Sequence, residues 1–576
     1  MAETRAAEIS RYLKSLCRAS CLIHSKGGLI VILWTVLVNQ LSIYSSAGYL
    51  FSFIIKEKDP VNTFWFNIAL SLIQFVGFLL YPVTGLLADI YWTRYNTMYA
   101  GLFFNMLGTI ALTIASFLVY YGQITTWTFI LFGIVLPLGS LQFGVALFSS
   151  NAIQFATDQM PGASSDNLSA LVYWYVWAIF FGQGEGSLLL LVLDLFTSLR
   201  MAVYLSIIII CVVQAFCLLF GIIAIALLKQ KLVNEPAGRN PIKDLAKVLK
   251  YSWHHKTSRF DHRSAFTYGV ETPSRLDFAK QRFGGPYTTE EVEDTKTFFR
   301  VLIVLLSLIG FYLVDETIAT NIHMQELRNT LGLTADGAFD YLTMMSFTGS
   351  LLTILFFIPV YQCCLQRCIK MPSMLKRMFI GLMFALVGAI ILQVIEIVLS
   401  VKVQHLTTCS RCELMKNDST CQEISLLENT TTTLSFNTAL LPYQIVIIVQ
   451  VANGIAFLLV FVTGIEFILA QAPRLMQGFL IGIWHAGACV KISIGIIMSI
   501  EAIDCQFYTV AFRIGAMVLF LPIYTITAAK YKRRERDEYA TINQQNIIEE
   551  YCIRALDRRD KYYEELSNDD TPLVTY

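Results

Sequence analysis

Among the ionisable side chains that lie inside long apolar stretches of this chain are Asp315, Glu316, Glu185 and His485. Charged groups are costly inside a membrane, so such residues are functional candidates, and each of these can gain and lose a proton. We therefore predict that they are candidates for proton coupling. Alternatives stay open for all four. The two adjacent acids would be hydrated near a surface or paired across a gate, Glu185 would face water, and His485 would be a neutral packing residue.

A second polar group lies in "VLVNQLSIYSS", residues 36–46, within the first long apolar stretch. It contains Asn39, Gln40 and Tyr44, whose side chains form hydrogen bonds, and the two amides cannot titrate. Polar side chains are costly at this depth, which makes these three residues candidates for contact with a solute.

Enzyme chemistry finds no support in the residue pattern. Nucleophile, metal and phosphate motifs do not occur at meaningful spacing in the 576 residues. We therefore predict that the protein is not an enzyme and uses no cofactor or metal. The net charge of +1 gives no support for a nucleic-acid partner.

The composition identifies the environment of these residues. Hydrophobic residues make up 55% of the chain and charged residues 15%, whereas soluble proteins carry about 25% charge. A helix needs roughly 20 apolar residues to cross a bilayer. The sequence thus predicts an all-α membrane protein with twelve spanning segments: 28–55, 64–88, 97–120, 127–150, 168–193, 201–228, 298–320, 341–362, 377–400, 441–470, 476–500 and 506–529.

The twelve segments form two groups of six, a layout typical of transporters that bind substrate between two bundles. Of the 43 lysines and arginines, 33 fall on the side of both termini and 7 on the other, which predicts cytoplasmic termini. We predict five parts: a cytoplasmic start 1–27, a first bundle 28–228, a cytoplasmic middle loop 229–297, a second bundle 298–529 and a cytoplasmic tail 530–576.

The two longest connections carry local signals. Thr288-x-x-Glu291 in the middle loop matches a capping box, which predicts a helix start there. The predicted outside loop 401–440 contains two glycosylation sequons, at Asn417 and Asn429. Four outside cysteines are disulfide candidates with open pairing, and free thiols are the alternative. They are Cys409, Cys412, Cys421 and Cys505.

Several strings resemble the proton-dependent oligopeptide transporter (POT) family of the major facilitator superfamily. They are "TGLLADIYWTRYNTMYAGL" from Thr84, "IQFATDQM" from Ile153, "YWYVWAIFFGQG" from Tyr173 and "TGIEFILAQAPRLMQGFLIGIW" from Thr463. The middle-loop string "PSRLDFAKQRFGGPYTTEEVEDTKTF" is similar to the animal peptide/histidine transporter branch. The resemblance implies twelve helices in two six-helix bundles and transport of peptides or amino acids by alternating access.

The resemblance also implies roles for single residues. Asp89 and Arg94 stand where the family places the acid and base of its cytoplasmic gating loop. Asp158 and Glu466 match residues near the same side, so gating is expected of them too. Gln325 resembles a glutamine near the outer end of the family's cavity, where it would contact substrate.

The family's charged substrate and proton residues are replaced in this chain. Its helix-one E-x-x-E-R falls on Val36, Asn39 and Gln40, and its helix-four lysine falls on Ser149. The last two positions carry rings: Phe180 for the helix-five asparagine and Phe457 for the helix-ten acid. Without groups that titrate, a proton gradient cannot be used at these positions. We therefore expect altered or absent proton coupling, and a neutral or aromatic solute fits such a lining better than a zwitterionic peptide.

Two short tail patterns, at Tyr539 and Tyr563, match a tyrosine-plus-apolar sorting signal. They predict binding of sorting adaptors and leave two locations open: the plasma membrane, and endosomes or lysosomes. Our leading hypothesis is a transporter of peptides, amino acids or a related small solute. The alternative is a sensor or scaffold that keeps the transporter fold, does not transport, and recruits partners through its tail and loops.

Overall fold

The structure is a computed structural model. It describes Val36 and residues 60–121, 136–160, 165–196, 200–234, 240–254, 274–281, 285–315, 350–362, 372–402, 444–500 and 506–532. Several predicted residues lie outside this part of the chain: Asn39, Gln40, Tyr44, Glu316, Gln325, Cys409, Cys412, Asn417, Cys421, Asn429, Cys505, Tyr539 and Tyr563. Glu185 lies on a described helix, but its side chain is outside the description.

The first half of the chain folds into long apolar helices because a bilayer leaves backbone N–H and C=O groups no partner outside the helix. They are α1 (Pro60–Ile90), α2 (Arg94–Tyr120), α3 (Leu136–Asp158), α4 (Ser165–Phe196) and α5 (Arg200–Leu228). Gln159, just after α3, holds the chain that leaves α5. Its Nε2 donates to the carbonyl of Val233 at 2.8 Å, and the N–H of Val233 donates to its Oε1 at 2.9 Å.

The middle loop contains a small folded segment built on α6 (Pro241–His254) and a short 3₁₀ turn (Arg275–Ala279). Val248, Ala279 and Val292 form its apolar centre. The predicted capping box is confirmed, since Thr288 Oγ1 accepts from the N–H of Glu291 and the Glu291 carboxylate accepts from the N–H of Thr288. This reciprocal pair satisfies the first free N–H groups of the next helix.

Four charged side chains beside that segment form a closed ring. Lys280 Nζ lies 2.6 Å from Asp277 Oδ1 and 2.5 Å from Glu293 Oε1, and Lys296 Nζ lies 2.5 Å and 3.1 Å from the same two oxygens. Burial opposes the charge of Asp277, but hydrogen bonds from Lys280, Lys296 and Ser274 outweigh it and hold the pKa of Asp277 well below its usual range. The ring therefore fixes the 3₁₀ turn to the following helix.

The second half begins with α7 (Thr289–Ser307) and α8 (Ile309–Val314). It continues with α9 (Ser350–Val360), α10 (Met374–Lys402) and α11 (Gln444–Phe457), then a π turn (Leu458–Val462) and α12 (Thr463–Gln471). The last helices are α13 (Gln477–Ala486), α14 (Ala488–Ile500) and α15 (Gln506–Lys530).

Eight helices in the described part are long and apolar enough to cross a membrane. Described helices overlap the predicted segments from the second to the twelfth, and Val36 represents the first. The predicted all-α membrane fold is confirmed. One continuous apolar core contains residues from both halves, such as Phe148 and Tyr173 of the first and Leu480 of the second.

Candidate functional site

The two halves meet where α1 packs against α13 and α14, two consecutive helices that together form one candidate membrane span. Glycines permit this contact because a side chain would not fit. A Cβ on Gly85 would lie 2.2 Å from the carbonyl oxygen of Gly478, and one on Gly482 would lie 2.5 Å from that of Tyr81. Farther along, Cys489 Sγ donates to the carbonyl of Phe75 at 3.4 Å. Close packing of α1 against α13 and α14 therefore extends from Gly85 to Phe75.

At one end of this contact three charged residues from the first half gather. Arg94 Nη1 lies 2.5 Å from Asp158 Oδ2, and its Nη2 lies 3.7 Å from Asp89 Oδ1. We call this the Asp89 end of the interface. Asp89 is buried, and its Oδ2 lies 2.9 Å from where a Cβ on Gly478 would stand. The carboxylate thus faces the first turn of α13, where a helix favours negative charge.

A second polar contact between the halves lies beside it. Gln154 of α3 is fully buried, and its Nε2 donates to Oε1 of Gln477 at 3.4 Å. Gln477 in turn donates to the carbonyl of Leu469 at 3.1 Å. Together with Asp89, these amides close the interface at this end.

Glu466 forms an ion pair within the second half. Arg377 Nη2 donates to Glu466 Oε1 at 3.0 Å, and Arg377 Nη1 lies 2.9 Å from Oε2. Arg377 Nη1 also donates to the hydroxyl of Tyr173, which belongs to the first half, at 3.0 Å. Sequence reasoning missed Tyr173 and Arg377 as site residues. Two signals could have identified them. Arg377 lies at the start of an apolar segment, in "PSMLKRMFIGL", and Tyr173 begins the string "YWYVWAIFFGQG" that resembles the family.

Rings occupy the region where the resemblance places the family's polar anchors. Phe180 and Phe457 are both buried, and their ring centroids lie 5.1 Å apart, edge to face, across the two halves. Phe457 stacks on Phe461 at 4.6 Å, and Phe461 stacks on Trp484 at 5.8 Å. Ser149 is buried in α3. The described centre of the interface therefore holds stacked aromatic rings.

His485 belongs to this aromatic group. Its ring stacks on Tyr81 of the first half at 5.1 Å and meets the edge of Phe461 at 5.5 Å. Its Nδ1–H donates to the carbonyl of Ile481 at 2.9 Å. Because a carbonyl oxygen can only accept, this bond requires a proton on Nδ1. The contacts are those of a packing residue that joins the halves.

Asp315 lies apart from these residues, at the end of α8 in the second half. It is buried, and Lys491 donates to its backbone carbonyl. Arg513 is also buried, and with Val314 and Asn453 it lines a cavity of about 10 Å³, room for one water. Buried charged side chains therefore do occur in the described second half. In the contacts described above, Asp315 does not meet any of the candidate gating residues.

Comparison with known proteins gives a consistent result. A family model described as the POT family matches residues 95–500. A crystal structure of an auto-inhibited POT family peptide transporter aligns with a TM-score of 0.55 at 16% identity, over 89% of this chain and 99% of that one. An in meso crystal structure of the POT family transporter PepTSo gives 0.56 at 13%, over 88% and 99%. A POT family transporter in complex with 5-aminolevulinic acid gives 0.53 at 13%, over 87% and 95%. At such identities the structural likeness shows the fold.

Proposed function

The chain belongs to the POT family of membrane transporters, and from that premise we propose that it moves a small peptide, amino acid or related solute with proton coupling altered or absent. Alternating access between two halves is the transport mode that this fold supports. Binding at the centre would rely on hydrogen bonds and ring contacts, with Asn39, Gln40, Tyr44, Ser149 and Gln325 as candidate contacts. A neutral or aromatic solute suits such groups better than a zwitterionic peptide.

The observation that carries this proposal is the contact between Phe180 and Phe457, at 5.1 Å between ring centroids. The two positions come from different halves and match the family positions of a polar and an acidic side chain. A phenylalanine ring cannot titrate, and it cannot form an ion pair with the amino terminus of a peptide. Its burial instead favours apolar or aromatic groups, with an edge-to-face pair contributing about 1 kcal/mol beyond area burial.

Uptake measurements test this proposal. Purified protein in vesicles would be given labelled dipeptides, histidine and neutral aromatic solutes at about pH 5.5 and about pH 7.5. We expect uptake of at least one solute that is nearly equal at the two values. Strong stimulation of dipeptide uptake by acid would contradict the loss of coupling and would point to a substitute proton carrier. Asp315, Glu316, Glu185 and His485 would then be examined first.

Orientation and location also belong to the proposal. We infer cytoplasmic termini, so that the Asp89 end of the interface lies on the cytoplasmic side and acts as a gate through Asp89, Arg94, Asp158 and Glu466. The outside loop would be glycosylated at Asn417 and Asn429. Sorting adaptors that read Tyr539 or Tyr563 would direct the protein to endosomes or lysosomes. Glycosidase treatment should lower the mass of the wild-type protein and leave the mass of an Asn417→Gln, Asn429→Gln double variant unchanged. That result would support this orientation.

One observation favours the second function, a sensor or scaffold without transport. The described centre is filled by rings from both halves, and the gate end is closed by several polar contacts. If the protein is a sensor or scaffold, deletion of residues 533–576 would abolish its activity in cells, whereas Gln40→Leu would leave that activity unchanged. A transporter predicts the reverse.

A further inference from the structure

One ion pair of the second half is completed by a residue of the first half. Arg377 on α10 and Glu466 on α12 face each other through two oxygen–nitrogen contacts, at 3.0 Å and 2.9 Å. The hydroxyl of Tyr173, on α4, accepts the remaining Nη1 bond at 3.0 Å. Tyr173 is 1% exposed, Arg377 6% and Glu466 7%, so water does not compete strongly for this bond.

Tyr173 lies on a face of α4 that contacts the second half repeatedly. Trp177 is four residues further, and its Nε1–H donates to the carbonyl of Leu355 on α9 at 3.2 Å. Phe180 follows at the next turn and meets Phe457. Residues spaced in this way share one helix face. Among these three contacts, only that of Tyr173 involves a charged group, and hydrogen bonds to charged groups are the stronger ones.

The contact lies at the same end of the molecule as Asp89. The α3 helix ends at Asp158 and α4 begins at Ser165, while α12 ends at Gln471 and α13 begins at Gln477. On the α1 side of this end, the Asp89 carboxylate lies against the first turn of α13. Tyr173 holds the α4 side against α10 and α12. If the halves separate here, Arg377 and Glu466 move together, and the bond to Tyr173 must break.

We propose that Tyr173 is a gating residue, whose hydroxyl bond to Arg377 holds the α4 side of the Asp89 end closed and is released when that end opens. The inference rests on the proposed alternating access, but its test measures opening and does not require transport. A shift in opening without any detectable uptake would leave this inference standing and would count against the transport proposal.

The experiment replaces the hydroxyl alone, in full-length protein in lipid nanodiscs. A thiol is introduced by Gln154→Cys, because Gln154 is fully buried at the contact between the halves. Its modification by a small maleimide, quantified on the corresponding peptide by mass spectrometry, proceeds at a rate proportional to the open fraction. Adding Tyr173→Phe is expected to raise this rate by about tenfold, the ratio that corresponds to one lost hydrogen bond to a charged group.

Tyr361→Phe is the matched control. Tyr361 contacts the Tyr173 ring at 5.9 Å but belongs to the second half, so removing its hydroxyl should leave the labelling rate nearly unchanged. In an Arg377→Gln background the effect of Tyr173→Phe should largely disappear. If that background does not fold, Arg377→Lys serves, because lysine lacks the fork that reaches both partners. Equal labelling with and without the Tyr173 hydroxyl, or an equal rise with Tyr361→Phe, would overturn the assignment.

Discussion

At the scale of single residues, the most consequential feature is a pair of buried rings that meet across the halves at positions where the resemblance places polar groups. Phe457 contacts Phe180 across the halves and Phe461 within its own half. Such rings stabilise the closed arrangement by burial, and they offer no proton to exchange. The resemblance places an acidic side chain at the position of Phe457. In this chain the phenylalanine at that position packs against other rings.

Phe457→Ala tests that role. Removing a buried ring leaves a cavity and costs about 3 to 5 kcal/mol, so we expect a clear fall in melting temperature in nanodiscs. Phe512→Ala is the control, because Phe512 is 48% exposed and would face lipid. A change below about 1 kcal/mol for Phe457→Ala would mean that the rings separate and line an open cavity.

At the scale of elements, the close contact of α1 with α13 depends on glycine. A Cβ on Gly85 would lie 2.2 Å from a backbone oxygen of Gly478, and backbone cannot move aside cheaply. The same contact places the Asp89 carboxylate at the start of α13. Helix packing and the position of the Asp89 carboxylate at this end of the interface therefore both depend on the contact between Gly85 and Gly478.

Gly85→Ala should force the two helices apart. We expect faster modification of the thiol introduced at Gln154 and a loss of about 1 to 3 kcal/mol in stability, the usual cost of overpacking. Gly139→Ala is a matched control, since a Cβ there meets no atom within 4 Å. Equal behaviour of the two variants would show that the α1 and α13 contact does not hold this end closed.

The charged ring of the middle loop should stabilise the start of α7 over a wide pH range. The pKa of Asp277 is held below its ordinary value, so its contribution is present above the unfolded pKa of about 4 and is lost only as pH falls through the lower folded pKa. Asp277→Asn should therefore increase hydrogen exchange at the first turns of α7 by roughly tenfold at neutral pH. Glu290→Gln, an exposed acid outside the ring, should change it little. Unchanged exchange in Asp277→Asn would show that the ring adds no stability.

At the scale of the whole molecule, periodic and compositional signals predicted the fold well. Apolar length placed the helices, and Thr288 with Glu291 placed the start of α7, because these properties are local in sequence. The ion pair of Arg377 with Glu466 and its bond to Tyr173 could not be predicted, because their partners are 89 and 204 residues apart in the chain. Likewise, the sequence identified Phe180 and Phe457 as departures from the family pattern, but their contact with each other is seen only in the structure.

Proton movement in vesicles tests the central claim most directly. Protein reconstituted with an internal pH dye would be given an inward proton gradient and then dipeptide, histidine or the best neutral solute. The account predicts solute uptake without a change in internal pH beyond that of protein-free vesicles. Acidification of the interior that depends on both the solute and the protein would contradict it, since some group in the chain would then carry protons with the solute.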